Sequence, residues 1–470
     1  MPCREKKRKL VVIALQTRLR RTDTDMTKGS VLGRLVAFAV PLLIGNIFQQ
    51  LYNTVDSVVV GNFVGKEALA AVGSVAPVVN MLIGFFNGFA TGAGVIISRY
   101  YGAQQKENVH IAVQTTIAMT ILMSVVLSIC GVLLTPALLR MMKTPEDVIA
   151  HSSEYLRIYF AGLSGLLLYN MGAGILRAVG DTRRPLYFLI FSAVTNTVLD
   201  LLFVTVFHMG VAGVAIATIL AQFASAVLVM VVLTRSTSDY RIVWRGMRLN
   251  KKMFGSICRL GFPAAVQLAV TSFSNIFVQS YINRFGADCM AGWTSHNKID
   301  SFVLLPIMTI SLAVTTFVGQ NLGAGDQARA RQGTRTALLL AEGVAAVLLV
   351  PLMLLSPQLI SLFNQEPEVL RYGTLFIRIV SPFYLVICIN QVLSGSLRGA
   401  GDSRNSVLII LASFVLFRQI YLAITYRVWG TVVAVALGYP AGWVLCSVLL
   451  LCYYRSGKWK KASIFKEKTQ

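Results

Sequence analysis

Residues 174–183 read GILRAVGDTR and residues 395–404 read GSLRGAGDSR, two near-copies of one phrase set 221 positions apart. The same offset, to within one residue, lays Gly33 on Gly255, Pro41 on Pro263, Gly65 on Gly286, RYYGAQ from 99 on QNLGAG from 320, and Pro145 on Pro367. The chain is built twice from one plan. Within the phrase, Gly permits a tight connection between two helices. Its Arg and Asp can cap helix ends or pair with each other, so Asp181 and Asp402 read as structural.

Composition says what is duplicated. With 55% hydrophobic residues, 13% charged and a mean hydropathy of +0.67, the chain has more apolar surface than one soluble core can hide. Its apolar runs reach or exceed the roughly 20 residues that span a bilayer as a helix, and they lack the alternation of a transmembrane barrel. Helices are expected near 34–60, 68–98, 111–134, 153–178, 185–208 and 211–234, then near 255–283, 289–320, 333–356, 372–398, 404–427 and 430–454. The fold class is therefore an all-α integral membrane protein of twelve transmembrane helices. Six crossings return the chain to its starting side, so the two six-helix lobes share one orientation and form a parallel internal repeat about the membrane normal. The expected divisions are a disordered basic segment at 1–29, an amino-terminal lobe at 30–234, a linker at 235–252, a carboxy-terminal lobe at 253–455 and a basic tail at 456–470. Duplication of this kind is the usual build of an alternating-access transporter.

The net charge of +23 reports orientation. Arg99, Lys106, Arg177, Arg183, Arg184, the run from Arg235 to Arg259, Arg329, Arg331, Arg335, Arg398 and Arg404 all fall at one end, with both termini. The opposite loops carry few cations, so the basic end is expected in the cytoplasm of a multi-pass inner (plasma) membrane protein. The partner these charges imply is the bilayer, not nucleic acid. The opening MPCREKKRKLVVIALQTRLRRTDTD has too short an apolar segment for a cleaved signal, and Met26 offers an alternative start. The seven cysteines show no CxxC spacing and the four histidines no ligand spacing, so no structural metal or cofactor is expected. The absence of a P-loop, nucleophile elbow or GxGxxG before a helix argues against an enzyme or an ATP-driven pump.

An acid in the middle of a membrane helix costs about 2.5–3.5 kcal/mol and usually faces a wet interior where it has work to do. Two lie in the first half. Asp56 borders a polar stripe of Asn46, Gln49, Gln50, Asn53 and Ser57. Asp200 closes a four-residue series with Ser192 and Asn196, and Thr218, Gln222 and Ser225 line the next helix. Such a carboxyl pair could exchange a proton, or release it to a transient Na⁺ held by oxygens of Asn196, Thr218 and the carboxylates. A cationic substrate competing for the site would then be expelled by antiport. In the second half Arg418 falls opposite Asn196, and Lys298, Asp300 and Glu342 add charges that formally cancel. An internally paired network is expected there, with a site for anionic groups at Arg418 and Lys298 as the rival reading.

QQLYNTVDSVVVGNFVGKEALAAVG from residue 49, the twice-used LRxxGDxR turn and FVGQNLGAG from residue 317 resemble the multidrug and toxic compound extrusion (MATE) family, over about residues 30–455. The resemblance, nearest to the DNA-damage-inducible (DinF-like) branch, implies a V-shaped two-lobed fold and export of small organic cations in exchange for H⁺ or Na⁺. It carries the coupling site to Asp56, Asp200, Asn196 and Thr218. It carries cavity lining to Gln49, Tyr52, Asn53 and Asn170, and a helix bend to Pro41. A glutamate that the other branch places in the seventh helix has no counterpart in PAAVQLAVTSFSNIF. A lipid-linked precursor flippase of the same superfamily is the alternative, and a channel is the further one. The protein is expected to function as a monomer.

Overall fold

The computed structural model describes residues 25–142 and 146–462. Pro145 and the basic segment before Asp25 lie outside the described residues. The amino-terminal half runs α1 (Val31–Val59), α2 (Lys66–Gly102), α3 (Lys106–Met141), α4 (Glu146–Ala161), α5 (Leu163–Ala178), α6 (Arg183–Leu201) and α7 (Gly210–Arg235). The carboxy-terminal half runs α8 (Lys251–Asn283), α9 (Ala287–Gly323), α10 (Gln327–Leu354), the short α11 (Ser356–Ser361), α12 (Pro367–Val380), α13 (Tyr384–Gly399), α14 (Ser403–Leu411), α15 (Arg418–Val428), α16 (Val432–Ala436), α17 (Gly438–Arg455) and α18 (Trp459–Ala462). Among the described residues there are 11 spans of membrane-crossing length and apolarity, or 12 when α4 and α5, bent by 49° at Gly162, count as one. Hydropathy alone does not reveal that bend.

The repeated phrase folds the same way twice. Gly180 and Gly401 adopt φ of 97° and 86°, a left-handed conformation that costs glycine little. In each copy the glycine N–H closes on the arginine carbonyl and the following Asp N–H reaches the leucine carbonyl five residues back. Asp181 then accepts from the backbone N–H of Arg183 and Arg184 and forms an ion pair with Arg184 at 3.2 Å. Asp402 accepts from the N–H and side chain of Asn405 and from the Tyr453 hydroxyl. Both acids are structural caps, as their loop position suggested.

Three short π segments interrupt the helices, at Val60–Val64, Leu202–Val206 and Ala412–Phe417. A π turn takes in one residue more than an α turn, which explains why the repeat offset grows by one across the third and brings Arg418 opposite Asn196.

Each lobe lends its first half-helix to the other. Val31, Leu35, Phe38 and Leu42 of α1, with Met26 before them, are buried in one apolar cluster with α9, α10 and α13. At the corresponding places on α8, Met253, Ile257, Leu260 and Ala265 are buried among α2, α3, α5 and α7. Small residues make the approach possible. A β-carbon on Gly88 would stand 2.5 Å from the Ala265 backbone nitrogen, and one on Gly92 2.6 Å from that of Gly261.

At the basic end the seam closes symmetrically: Gly102 faces the Gln320 carbonyl and Gly323 faces the Arg99 carbonyl, positions exchanged by the repeat. The Gln320 amide spans the seam, donating to the Ala178 carbonyl at 2.9 Å and accepting from the Met26 N–H at 3.2 Å. Arg329 holds the Met26 and Gly29 carbonyls. Residues 26–29, expected with the disordered segment, are therefore an ordered strap: Met26 is 0% exposed because an apolar slot in the carboxy-terminal lobe receives it. The linker is also held, with Tyr240 and Ile242 buried and Gln114 donating to the Val243 carbonyl at 3.0 Å. Toward the opposite end, α2 and α8 separate into the cores of their own lobes. The molecule is a V whose mouth points away from the basic loops.

Candidate functional site

Asp56 stands one turn before the first π segment and Asp200 two residues before the second, and the two π segments pack against each other. That arrangement brings the two carboxyl groups from separate helices into each other's reach. Asp200 is 0%, Asn196 1% and Thr218 4% exposed, whereas Asp56 is half-buried. The Asn196 amide donates to the Thr218 hydroxyl at 3.4 Å. Asp56 Oδ1, both Asp200 oxygens and Asn196 Oδ1 are buried without a hydrogen-bond donor among the described residues. No ion pair there involves either acid. Tyr52 adjoins Thr218 and both carboxyls, and Tyr155 and Tyr159, with ring centroids 6.2 Å apart, form the wall behind them.

Bare oxygens gathered in a dry place require positive charge. Two carboxylates at close quarters cannot both remain ionised without a counter-ion. A proton shared between them would neutralise part of the charge, and so would a small hard cation that accepts oxygen ligands. The donor set suits either. No cluster of three or more His, Cys, Asp or Glu fit for a resident metal occurs among the described residues.

Beyond Tyr52 a cavity opens between α1, α5, α6 and α7. Pro41, Gln49, Tyr52, Tyr169, Asn170, Arg177, Ser192, Gln222 and Ser225 are among its lining. Thus Gln49, Tyr52 and Asn170 share one space, and the acids lie behind its tyrosine. The Asn53 side chain lies outside the described residues. Pro41 sits on the cavity wall within a helix that continues without a break from Val31 to Val59. Arg177, which sequence reasoning counted only among the loop cations, is the one charged residue in this lining. Its signal was faint, because arginine near a helix end is ordinary.

The paired network expected in the second lobe does not form. Lys298 is exposed over the Phe363 ring at 5.3 Å, whereas Asp300 turns inward and accepts the Tyr384 hydroxyl. Residues two apart on a helix point to different faces, so these two cannot pair. Arg418 donates to Ser274 Oγ and Asn275 Oδ1, each at 2.8 Å, and lies 4.7 Å from the Tyr439 ring centroid. Glu342 has no ion pair among the described residues. Neutral oxygens and a π face do the work assigned to counter-charges.

Two membrane-spanning lobes splayed in a V, with a lined cavity and buried acids in one of them, have the build of a polytopic membrane transporter. The MatE family model matches residues 41–202 and again 263–424, once in each repeat. The probable multidrug resistance protein YpnP of Bacillus subtilis (strain 168) is 31% identical over 446 residues, 94% of this chain and 99% of that protein. The probable multidrug resistance protein NorM of Thermotoga maritima is 27% identical, over 92% and 93% of the two chains. A multidrug resistance MATE family transporter of the MOP superfamily, solved in an outward-facing conformation, superposes with a TM-score of 0.86 at 23% identity, covering 93% of this chain and 99% of that one. The chain belongs to the MATE family.

Proposed function

We propose that this protein is a secondary antiporter that exports small cationic amphiphilic compounds in exchange for H⁺ or Na⁺. The observation that carries the reading is that, among the described residues, Asp56 Oδ1, both Asp200 oxygens and Asn196 Oδ1 are buried with no hydrogen-bond donor. The names of its relatives as multidrug resistance proteins support the cargo class. Binding of the coupling ion removes negative charge behind Tyr52, and an organic cation then loses its electrostatic partner. One charge crossing the membrane is worth about 2.3 kcal/mol per 100 mV, enough to drive such an exchange.

The basic end is cytoplasmic in this reading, because cations concentrate in its loops. The V then opens outward, with Gln320 and the Met26 strap sealing the inner side. Release of the cargo to the outside precedes opening of that seal. The chain is read as a plasma-membrane monomer of the DinF-like branch. Arg418 is engaged by Ser274, Asn275 and the Tyr439 ring, and Lys298 by the Phe363 ring, which supports an exporter over a flippase built around a diphosphate.

Uptake of a fluorescent cation into proteoliposomes, with pH and sodium gradients imposed separately, tests the proposal. Asp56→Asn and Asp200→Asn are each expected to reduce gradient-driven transport to background while the protein still elutes as a folded species. Normal transport by both variants overturns the reading.

A further inference from the structure

The arginines of the two LRxxGDxR turns meet different surroundings. Arg398 has both terminal guanidinium nitrogens engaged: Nη1 donates to Ser394 Oγ at 2.9 Å and Nη2 to Ser311 Oγ at 3.2 Å. In the register that superposes Gly102 on Gly323 and Gly174 on Gly395, those serines correspond to Ala173 and Ala90. Both hydroxyls are missing from the amino-terminal lobe. Among the described residues no group accepts a hydrogen bond from the Arg177 guanidinium, and no carboxylate pairs with it.

Arg177 lines the cavity instead, together with Gln49, Tyr169, Asn170 and Thr182. The Tyr169 hydroxyl is committed to the Pro185 carbonyl at 3.1 Å and the Asn170 amide to the Leu166 carbonyl at 2.9 Å, so neither turns back to satisfy it. No acid lines this space. From Pro185, at the level of the arginine, to Asp200 the chain climbs about 22 Å of helix at 1.5 Å per residue, too far for the carboxyl pair to serve as counter-ion. A half-buried guanidinium that faces this cavity, with no acceptor among the described residues, offers its fork to a planar oxyanion, which accepts two parallel hydrogen bonds from it.

We propose that Arg177 is an oxyanion subsite at the basic end of the amino-terminal cavity, where it binds the carboxylate of a ligand. Positive charge then stands in the cavity at Arg177, and the Asp56–Asp200 pair lies outside its lining, behind Tyr52. That the occupant is transported rests on the exporter reading above; that it binds does not. The carboxylate can belong to an amphiphile that also carries a cation, or to a small free acid.

Equilibrium binding to the purified protein in lipid nanodiscs separates these cases. The probes are a rhodamine with a free carboxylate, the ethyl ester of the same dye, and sodium benzoate as competitor. The free-carboxylate dye should bind Arg177→Gln on the order of ten-fold more weakly than the unaltered protein, while the ester binds both alike. The double variant Ala90→Ser/Ala173→Ser keeps the charge but supplies the hydroxyls that occupy Arg398, and should weaken the carboxylate dye in the same sense. Displacement of that dye by benzoate identifies a free acid as sufficient. Failure of benzoate alone, with the Arg177 dependence intact, assigns the site to larger zwitterions. Equal affinity of the carboxylate dye for the unaltered protein and Arg177→Gln overturns the proposal. Active Asp56→Asn and Asp200→Asn variants would overturn the exporter reading and leave this binding result standing.

Discussion

Asn196 and Arg418 stand at corresponding positions of the repeat, and each is buried to within a few percent. Arg418 is matched by two oxygens and an aromatic face, so its charge is accommodated where it stands. Among the described residues, Asn196 Oδ1 and both Asp200 oxygens have no donor. One side chain holds its lobe together; the other leaves room for something that comes and goes. Arg418→Ala removes two charge-assisted hydrogen bonds and a cation–π contact and leaves Ser274 and Asn275 underused. It should cost about 2–4 kcal/mol of stability, read as a lower unfolding temperature in detergent, without changing the ranking of transported cations. A change in selectivity at unchanged stability would place Arg418 in the cargo path.

At the level of helices, the seam between α2 and α8 depends on absent side chains. Gly92→Val would drive a branched side chain into the Gly261 backbone, where neither neighbour can turn aside, and should lower the yield of folded protein sharply. Gly343 on α10 has nothing within 4 Å of its would-be β-carbon, and Gly343→Ala should be neutral or stabilising by about 0.5–1 kcal/mol in the same melting assay. The spans and their duplication were legible because hydropathy and recurring glycines and prolines act over whole segments. The capping roles of Asp181 and Asp402 were legible too, since a cap is decided within four residues. What escaped depended on a second helix. Lys298 and Asp300 are neighbours in sequence, but packing decides which face each occupies. The freedom of Arg177 is written in Ala90, on another helix, and becomes visible only when Arg398 and Ser311 are seen together. The bend at Gly162 escaped for a related reason: a β-carbon there would meet the Ile219 side chain, so the site is set by close packing on α7 and not by any break in local apolarity.

For the whole molecule, alternating access requires the basic end to part. A β-carbon on Gly319 would lie 3.3 Å from that of Ser98, slightly closer than the usual disulfide spacing of about 3.5–4.5 Å. In a background without the native cysteines, Ser98→Cys/Gly319→Cys is expected to cross-link under oxidation, stop transport, and recover on reduction. Full activity of the oxidised protein would show that this end need not open. The exchanged half-helices add a mechanical requirement. The first turns of α1 are embedded in one lobe, while Asp56, farther along the same rod, sits in the other. A beam clamped to two bodies that tilt apart must flex between its clamps, and Pro41, which leaves a carbonyl without its usual donor, lies in that stretch. The charge state at one end of the beam and the closure at its other end are thereby geared to each other, with no relay of intervening side chains needed.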